Sequence, residues 1–360
     1  MKEIFNVTYT IPFDKLWLSL RKSRLGKSSE LIYYWYDEPD SCLIKLNSEY
    51  NNELINLIKQ KYISLKKFFT KFAIDIDINL RMLKCSSITV RNLKKILNGL
   101  NLSYNVCERH IVAIGSRYPL NVAFPIKLNN LESALLVAAF MSDGHNEDQH
   151  PHYTNNSAFL NHKILSTALK LVPNLPWETR NDKIRFHPFL GRILQKLGVP
   201  YGNKSMINPI VPSFIWSNIA YMKIYLTQVF DDEGHATTKE SRKMVLGRSS
   251  VVNNLPKDFV DSLPHGKRIM FNQLPDNVKE LIIKQPPMLL IGEYFLLKKL
   301  GIERKMRCRG IYKYQNNNVS ADWVIELYGK ENMRKFQETI GFSEPSKVKQ
   351  MGLYLNGNKK

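Results

Sequence analysis

The chain is short of acid, short of cysteine and without long apolar runs. It carries 32 acidic residues against 52 lysines and arginines, a formal net charge of +20 and a pI near 9.6. Such an imbalance does not bear on fold, but it narrows the partners to nucleic acid or an anionic membrane surface. No uninterrupted apolar stretch is long enough to span a bilayer, and the opening Met1-Lys2-Glu3-Ile4 lacks the charged-then-apolar layout of a signal peptide. A cytoplasmic, nucleoid-associated protein with no membrane partner is therefore expected. The four cysteines, Cys42, Cys85, Cys107 and Cys308, form no CxxC pair, so neither a zinc knuckle nor a disulfide framework can be read. His145, His150, His152 and His162 lie near one another in sequence, but no cysteine joins them and their spacing fits no zinc pattern. There is no Walker-type phosphate loop, no nucleophile elbow and no HExxH.

What is present is enough apolar residue, 44% of 360, to bury a core in two or three domains. Residues 1–120 read as mostly helical. Leu54, Ile55, Leu57, Ile58, Ile63 and Leu65 recur at helical spacing over 52–72 among five lysines, and Leu93, Ile96, Leu97 and Leu100 stripe a second helix over 89–100. A short strand is expected at 110–114. The pattern suits a helix-turn-helix-like DNA-binding extension or an ordinary helical domain with a basic face. The turn-rich stretch 115–130 marks a boundary, and the Gly-, Pro- and Asn-rich connector 198–214 divides the rest into two halves, 125–212 and 213–355.

Both halves open on an apolar helical stretch that finishes acid-Gly-His: Leu135 to His145 and Tyr225 to His235. Gly144 and Gly234 are 90 residues apart, a spacing that implies a duplicated structural half rather than a solenoid. A glycine past a helix is an ordinary C-terminal stop. An acid in the last turn is not, because it faces the negative end of the helix dipole. The same anomaly at Asp143 and Glu233 suggests compensation by a ligand, most simply a hard divalent cation. Ala138 and Ala139 permit close helix approach, whereas Gln228 suits tight packing less well. Two such helices side by side bring Asp143 and Glu233 together, where two metal ions could serve an in-line phosphoryl displacement.

These nine-residue stretches, Leu136–Gly144 and Leu226–Gly234, resemble the motif of the LAGLIDADG homing endonucleases, with Met141 where an acid is common and Gln228 where a small residue is usual. The segments Tyr153 to Asn156, Gly191 to Leu194 and Lys196 to Lys204 resemble those that follow the first motif in archaeal members, and Ile325 to Asn332 with Phe336 and Ile340 to Phe342 resembles the closing strand and helix of the second half. The resemblance covers about 125–355. It implies an α+β fold: a duplicated αββαββα core with pseudo-twofold symmetry about the two motif helices, its sheets forming a saddle on double-stranded DNA. It implies a monomer that makes a staggered, metal-dependent cut, with Mg2+ or Mn2+ held by Asp143, Glu233 and the backbone at Gly144 and Gly234. A lysine near such sites often neutralises developing charge, for which Lys183 and Lys330 are the candidates. The alternatives within the resemblance are a DNA-binding regulator that has lost cleavage and a maturase acting on intron RNA.

Cationic strands supply the expected DNA surface. Lys305, Arg307 and Arg309 alternate at period two, as do Lys183 and Arg185 with Arg180 nearby, and Lys239, Arg242, Lys243 and Arg248 crowd the strands after the second motif. Period-two cations share one face of a strand, and such strands can enter the major groove as ribbons.

Overall fold

Capping and periodicity explain most element boundaries. The structure, a computed structural model, describes residues 31–75, 78, 81, 82, 84, 86–115, 119–147, 150–237 and 243–356. Lys239 and Arg242 lie outside the described residues.

The first part contains β1 (Ile32–Tyr33), β2 (Leu43–Leu46), α1 (Ser48–Tyr62), α2 (Leu65–Lys71), β3 (Ile88–Thr89), α3 (Val90–Leu100) and β4 (Ile111–Ile114). Helices dominate it, as the periodicity requires, but the single helix expected over 52–72 is two. The chain breaks at Ile63, which takes a positive φ of 68°, and Ser64 starts the next helix by accepting from the Lys67 amide. β4 falls within the strand expected at 110–114, but its partners in the antiparallel sheet β3-β2-β4, the four-residue β2 and the two-residue β3, were not legible in the pattern. β1 pairs with β5 (Ile126–Lys127), so this part is tied to the chain beyond residue 125. The tie is reinforced by Arg192 on the buried Glu38 at 2.7 Å, Lys196 on Asp37 at 3.0 Å and the Tyr33 ring edge-on to Phe189.

From residue 131 the elements run α4 (Leu131–Met141), β6 (Gly144–His145), β7 (His152–Thr154), α5 (Ala158–Leu171), β8 (Trp177–Arg180), β9 (Lys183–Phe186) and α6 (Pro188–Lys196). A one-turn helix, α7 (Lys204–Ile207), follows in the Gly- and Pro-rich connector. The next stretch opens α8 (Ile219–Glu233), β10 (Gly234–Thr237) and β11 (Lys243–Val251). After α9 (Lys257–Ser262), β12 (Arg268–Met270) and α10 (Asp276–Ile283) it continues with α11 (Met288–Lys299), β13 (Lys305–Lys313), β14 (Val319–Tyr328), α12 (Lys330–Thr339) and α13 (Pro345–Asn356). The sheets are antiparallel, in the orders β6-β7-β9-β8 and β10-β11-β14-β13-β12. If the segment from α9 to α10 is set aside, both stretches read helix, two strands, helix, two strands, helix. Both place their four strands first, second, fourth, third. The fold is mixed α+β, and among the described residues no helix is long and apolar enough to cross a membrane.

α4 lies along α8. Every residue of α4 from Ser133 to Met141 is buried, as expected of a helix apolar on all sides. Ala138 and Ala139 are wholly covered, which allows the close approach. Gln228 is also fully buried and is accommodated by donating from Nε2 to Asp232 at 2.9 Å.

The two motif glycines are needed for a reason other than a left-handed turn. Gly234 is extended, at φ −77° and ψ 144°. A Cβ there would stand 2.6 Å from the Phe230 ring and 2.7 Å from its carbonyl oxygen, and one on Gly144 would stand 2.8 Å from the Phe140 Cα. Each glycine lets the chain turn from helix into strand flush against a phenylalanine one turn back. Gly234→Ala should therefore destabilise by about 1–3 kcal/mol through overpacking. Gly352→Ala, inside α13 with nothing within 4 Å of the new methyl, should gain up to about 1 kcal/mol from helix propensity. Denaturant midpoints of the two variants would read both signs.

Candidate catalytic centre between the helix ends

The ends of α4 and α8 gather an unusual number of charges into one place. Asp143 follows α4 by two residues, and Glu233 is the last residue of α8. Asp143 is half-buried, and its Oδ2 accepts from Asn155 Nδ2 at 2.7 Å. Asn155 is itself fixed, accepting from the Ser157 amide at 2.8 Å. Burial, followed by the Glu233 charge, pushes the Asp143 carboxyl above its usual range. The Glu233 charge thus reaches the Asp143 carboxyl across the paired helix ends. Glu233 Oε1 accepts from Arg248 at 3.1 Å, and its side chain is one-third exposed.

A third carboxylate, Asp232, stands behind them. It accepts from Tyr153, across the helix pair, at 2.6 Å, and burial pushes its carboxyl up to about 8. Asp231, one residue earlier and fully buried, accepts from the Ser343 amide at 2.9 Å and pairs with Lys163 at 3.2 Å. It anchors the start of α13 and a lysine of α5 to α8.

Arg248 corrects the strand reading. It was expected to contact DNA, but in β11 it lies opposite Trp323, on the face packed against the core. Its guanidinium is almost fully buried and pairs with Glu293 at 2.8 Å and Glu233 at 3.1 Å. It also donates to the Met141 carbonyl and the Ser142 hydroxyl, each at 3.1 Å. It is a strut joining the ends of both motif helices to α11.

The lysines at the centre are not those expected. Lys183 lies on β9 opposite Thr154, and Lys330 is exposed at the start of α12; neither makes an ion pair with Asp143 or Glu233. Lys204 and Lys347 take that place. Lys204 Nζ donates to the carbonyls of Phe140 (3.2 Å), Ser142 and Gly144 (2.6 Å). Lys347 Nζ donates to those of Phe230 (3.1 Å), Asp231 and Gly234 (2.7 Å). Each ammonium satisfies the orphan carbonyls at the end of one helix and offsets the negative end of its dipole. Burial lowers the Lys204 amine to about 8 and lowers Lys347 as well. The dipole anomaly that suggested a metal is thus answered first by the protein's own cations. Lys204 sits in a connector that reads as loop and Lys347 in a tail helix, and no local pattern in the sequence links either to a motif.

The capping lysines also bear on which atoms fit a metal ion. The carbonyls of Gly144 and Gly234 each accept from an ammonium group, so a metal ligated there would share them with Lys204 and Lys347. The two carboxylates do fit. Asp143 Oδ1 and Glu233 Oε2 make no hydrogen bond among the described residues, and carboxylate oxygens are the donors that Mg2+ prefers. Among the described residues no cluster of three or more His, Cys, Asp and Glu side chains has metal-ligand geometry, so phosphate and water oxygens would complete the set.

A cleft of about 500 Å³ opens beside Glu233, walled also by Ser142, His145, Lys204, His235 and Arg248 among others, with Asp143 outside its lining. His145 stacks on His152 with ring centroids 4.9 Å apart. Burial and nearby cations, Lys204 at His145 and Lys183 at His152, depress both imidazoles. The predicted cations lie on two neighbouring strands of the first sheet, Arg180 on the edge strand β8 and Lys183 and Arg185 on the inner strand β9, alternating there against the buried Ile184 and Phe186. Lys243, Lys305, Arg307 and Arg309 lie on the second sheet.

No protein-family model matches the chain, and no curated protein matches it.

Proposed function

We propose that the chain is a site-specific endonuclease of the LAGLIDADG type that binds double-stranded DNA and hydrolyses phosphodiesters with Mg2+ or Mn2+. The observation that carries this reading is the placing of Asp143 and Glu233 at the ends of two packed helices, each end capped by a half-buried lysine, with a cation-bearing sheet on either side. The recurrence of element order and strand order over 131–196 and 219–339 supports a duplicated αββαββα core, and a single chain carrying both halves fits a monomer.

The chemistry follows from the donor set. Asp143 and Glu233 would hold a divalent ion, which when bound would supply Lewis-acid stabilisation of the scissile phosphate. Asn155 fixes the Asp143 carboxylate, and Arg248 fixes that of Glu233. Lys204 and Lys347 hold the backbone that carries both acids and add positive potential where a phosphate would develop charge. The depressed imidazoles of His145 and His152 are neutral at pH 7 and can accept a proton from water.

Selection of cleavage products from a random duplex library, with Mg2+, Mn2+ or chelator, tests the reading. A recurrent cut site that needs metal is expected. Affinity for that site should fall about as the number of neutralised phosphates dictates when salt rises. Binding without cutting in either metal would leave a regulator, and a preference for structured RNA a maturase.

A further inference from the structure

We infer that Glu326 and Asp322 aim the arginines of the second sheet and so give one half of the DNA site its base preference, while the first sheet mainly attracts phosphate. This inference rests on the nuclease reading. It begins with register. Along β14, Trp323, Ile325 and Leu327 are buried in the core, and Asp322, Val324 and Glu326 alternate with them. The same face carries Lys305 opposite Glu326, Arg307 opposite Val324 and Lys243 opposite Tyr328.

On that face an acid would be expected to repel DNA, and yet Glu326 is saturated. Arg307 grips it with two bonds, Nε to Oε2 and Nη2 to Oε1, both 2.9 Å. Lys243 Nζ adds a third at 2.6 Å, and the Tyr328 hydroxyl a fourth. The carboxylate is 2% exposed as a residue, whereas the Arg307 side chain remains 49% exposed. These partners outweigh burial and hold the Glu326 carboxyl down to about 2. Arg307 spends its Nε–Nη2 edge on the acid, and its Nη1 makes no hydrogen bond among the described residues. A planar fork held in this way suits the bidentate acceptors of guanine.

Asp322 repeats the device. Its hold is looser, one oxygen lying 2.8 Å from Arg268 and 3.6 Å from Arg309 without hydrogen-bond geometry to either. Arg309 lies at the bulge where the register slips between Cys308 and Gly310, and it reaches Asp322 on the face that carries Arg307. Gly310 permits the slip, since a Cβ there would stand 2.1 Å from the Ile269 carbonyl oxygen.

The first sheet lacks such pins. Among the described residues none of Arg180, Lys183 and Arg185 makes an ion pair, although Glu178 stands opposite Arg185. Unpinned cations bind phosphate wherever it lies and carry no sequence information. Pinned ones lose general attraction to DNA and gain selectivity, because the ordering cost is met before binding and the acid disfavours misplaced phosphate.

The test compares wild type, Glu326→Gln, Asp322→Asn and Arg185→Gln by site selection and by affinity against salt. For Glu326→Gln, affinity for non-specific duplex should rise several-fold and the salt slope should steepen by about one released counterion. Base preference should flatten over one contiguous half of the site only. Asp322→Asn should act in the same direction on the same half. Arg185→Gln should weaken binding to all sequences alike. A denaturation midpoint confirms that each variant is folded, and should Glu326→Gln fail to fold, Asp322→Asn decides alone. A wild type that ignores duplex DNA overturns the nuclease reading. A wild type that binds a defined site, while the acid variants keep its preferences and its salt slope, overturns this inference alone.

Discussion

Replacing Asp143 by Asn and Glu233 by Gln together should abolish metal-dependent nicking while leaving DNA affinity unchanged or slightly tighter. The sign of the binding effect is what makes the result informative. Two carboxylates facing a phosphate repel it, so neutralising them cannot weaken attraction to DNA through charge. Cleavage depends on them in the opposite way, as oxygen donors for the cation that stabilises the transition state. Each single change should cost at least about a hundredfold in cleavage rate, the scale seen when one preorganised electrostatic contact is removed from an active site. The substitutions keep the local structure. An Asn at 143 can still accept from Asn155, and a Gln at 233 can still accept from Arg248. Single-turnover cleavage at saturating protein separates the two effects, because affinity no longer enters. Nicking that persists within tenfold of wild type would remove both residues from the reaction.

Much of this centre was legible in the sequence, and what was missed was missed for physical reasons. Asp143 and Glu233 could be found because they break a local rule at equivalent places, and a helix apolar on all sides had to be buried. Period two placed Arg307 correctly, since β13 is regular up to the bulge. It failed at Arg248 because charge crowding in a strand says nothing about which face each residue takes. Only the register of β11 against β14, with Arg248 opposite Trp323, reveals that this arginine points inward. Glu293, its buried partner, sits in the apolar run of α11 and reads as a solvated helix acid. Lys204 and Lys347 act on backbone carbonyls 60 and 113 residues earlier in the chain, and a contact to backbone leaves no trace in residue type. Lys183 and Lys330 were chosen for nearness to strand ends, a criterion that no energetic argument supports.

Arg248→Met should unfold the protein more readily rather than merely weaken DNA binding. The arginine holds Glu293, which is fully buried and whose carboxyl burial pushes upward against the pull of Arg248. Removing the cation leaves that acid, with the Met141 carbonyl and Ser142 hydroxyl, short of a partner. Breaking a buried pair from one side costs about 3–5 kcal/mol. Glu233 contributes less to this loss, since its exposed third lets water replace the arginine. Removing both charges is a different case, because no uncompensated ion remains. Arg248→Met combined with Glu293→Leu should therefore recover most of the lost stability, so that the double variant falls well short of the sum of the two single losses in a double-mutant cycle. Tyr225, whose hydroxyl faces Glu293 at 3.4 Å, would lose an acceptor and keep the recovery below complete. A denaturant titration of wild type, both single variants and the double variant measures the cycle. An arginine on the DNA face would give the reverse pattern, with the unfolding midpoint within about 0.5 kcal/mol of wild type and the whole effect in affinity.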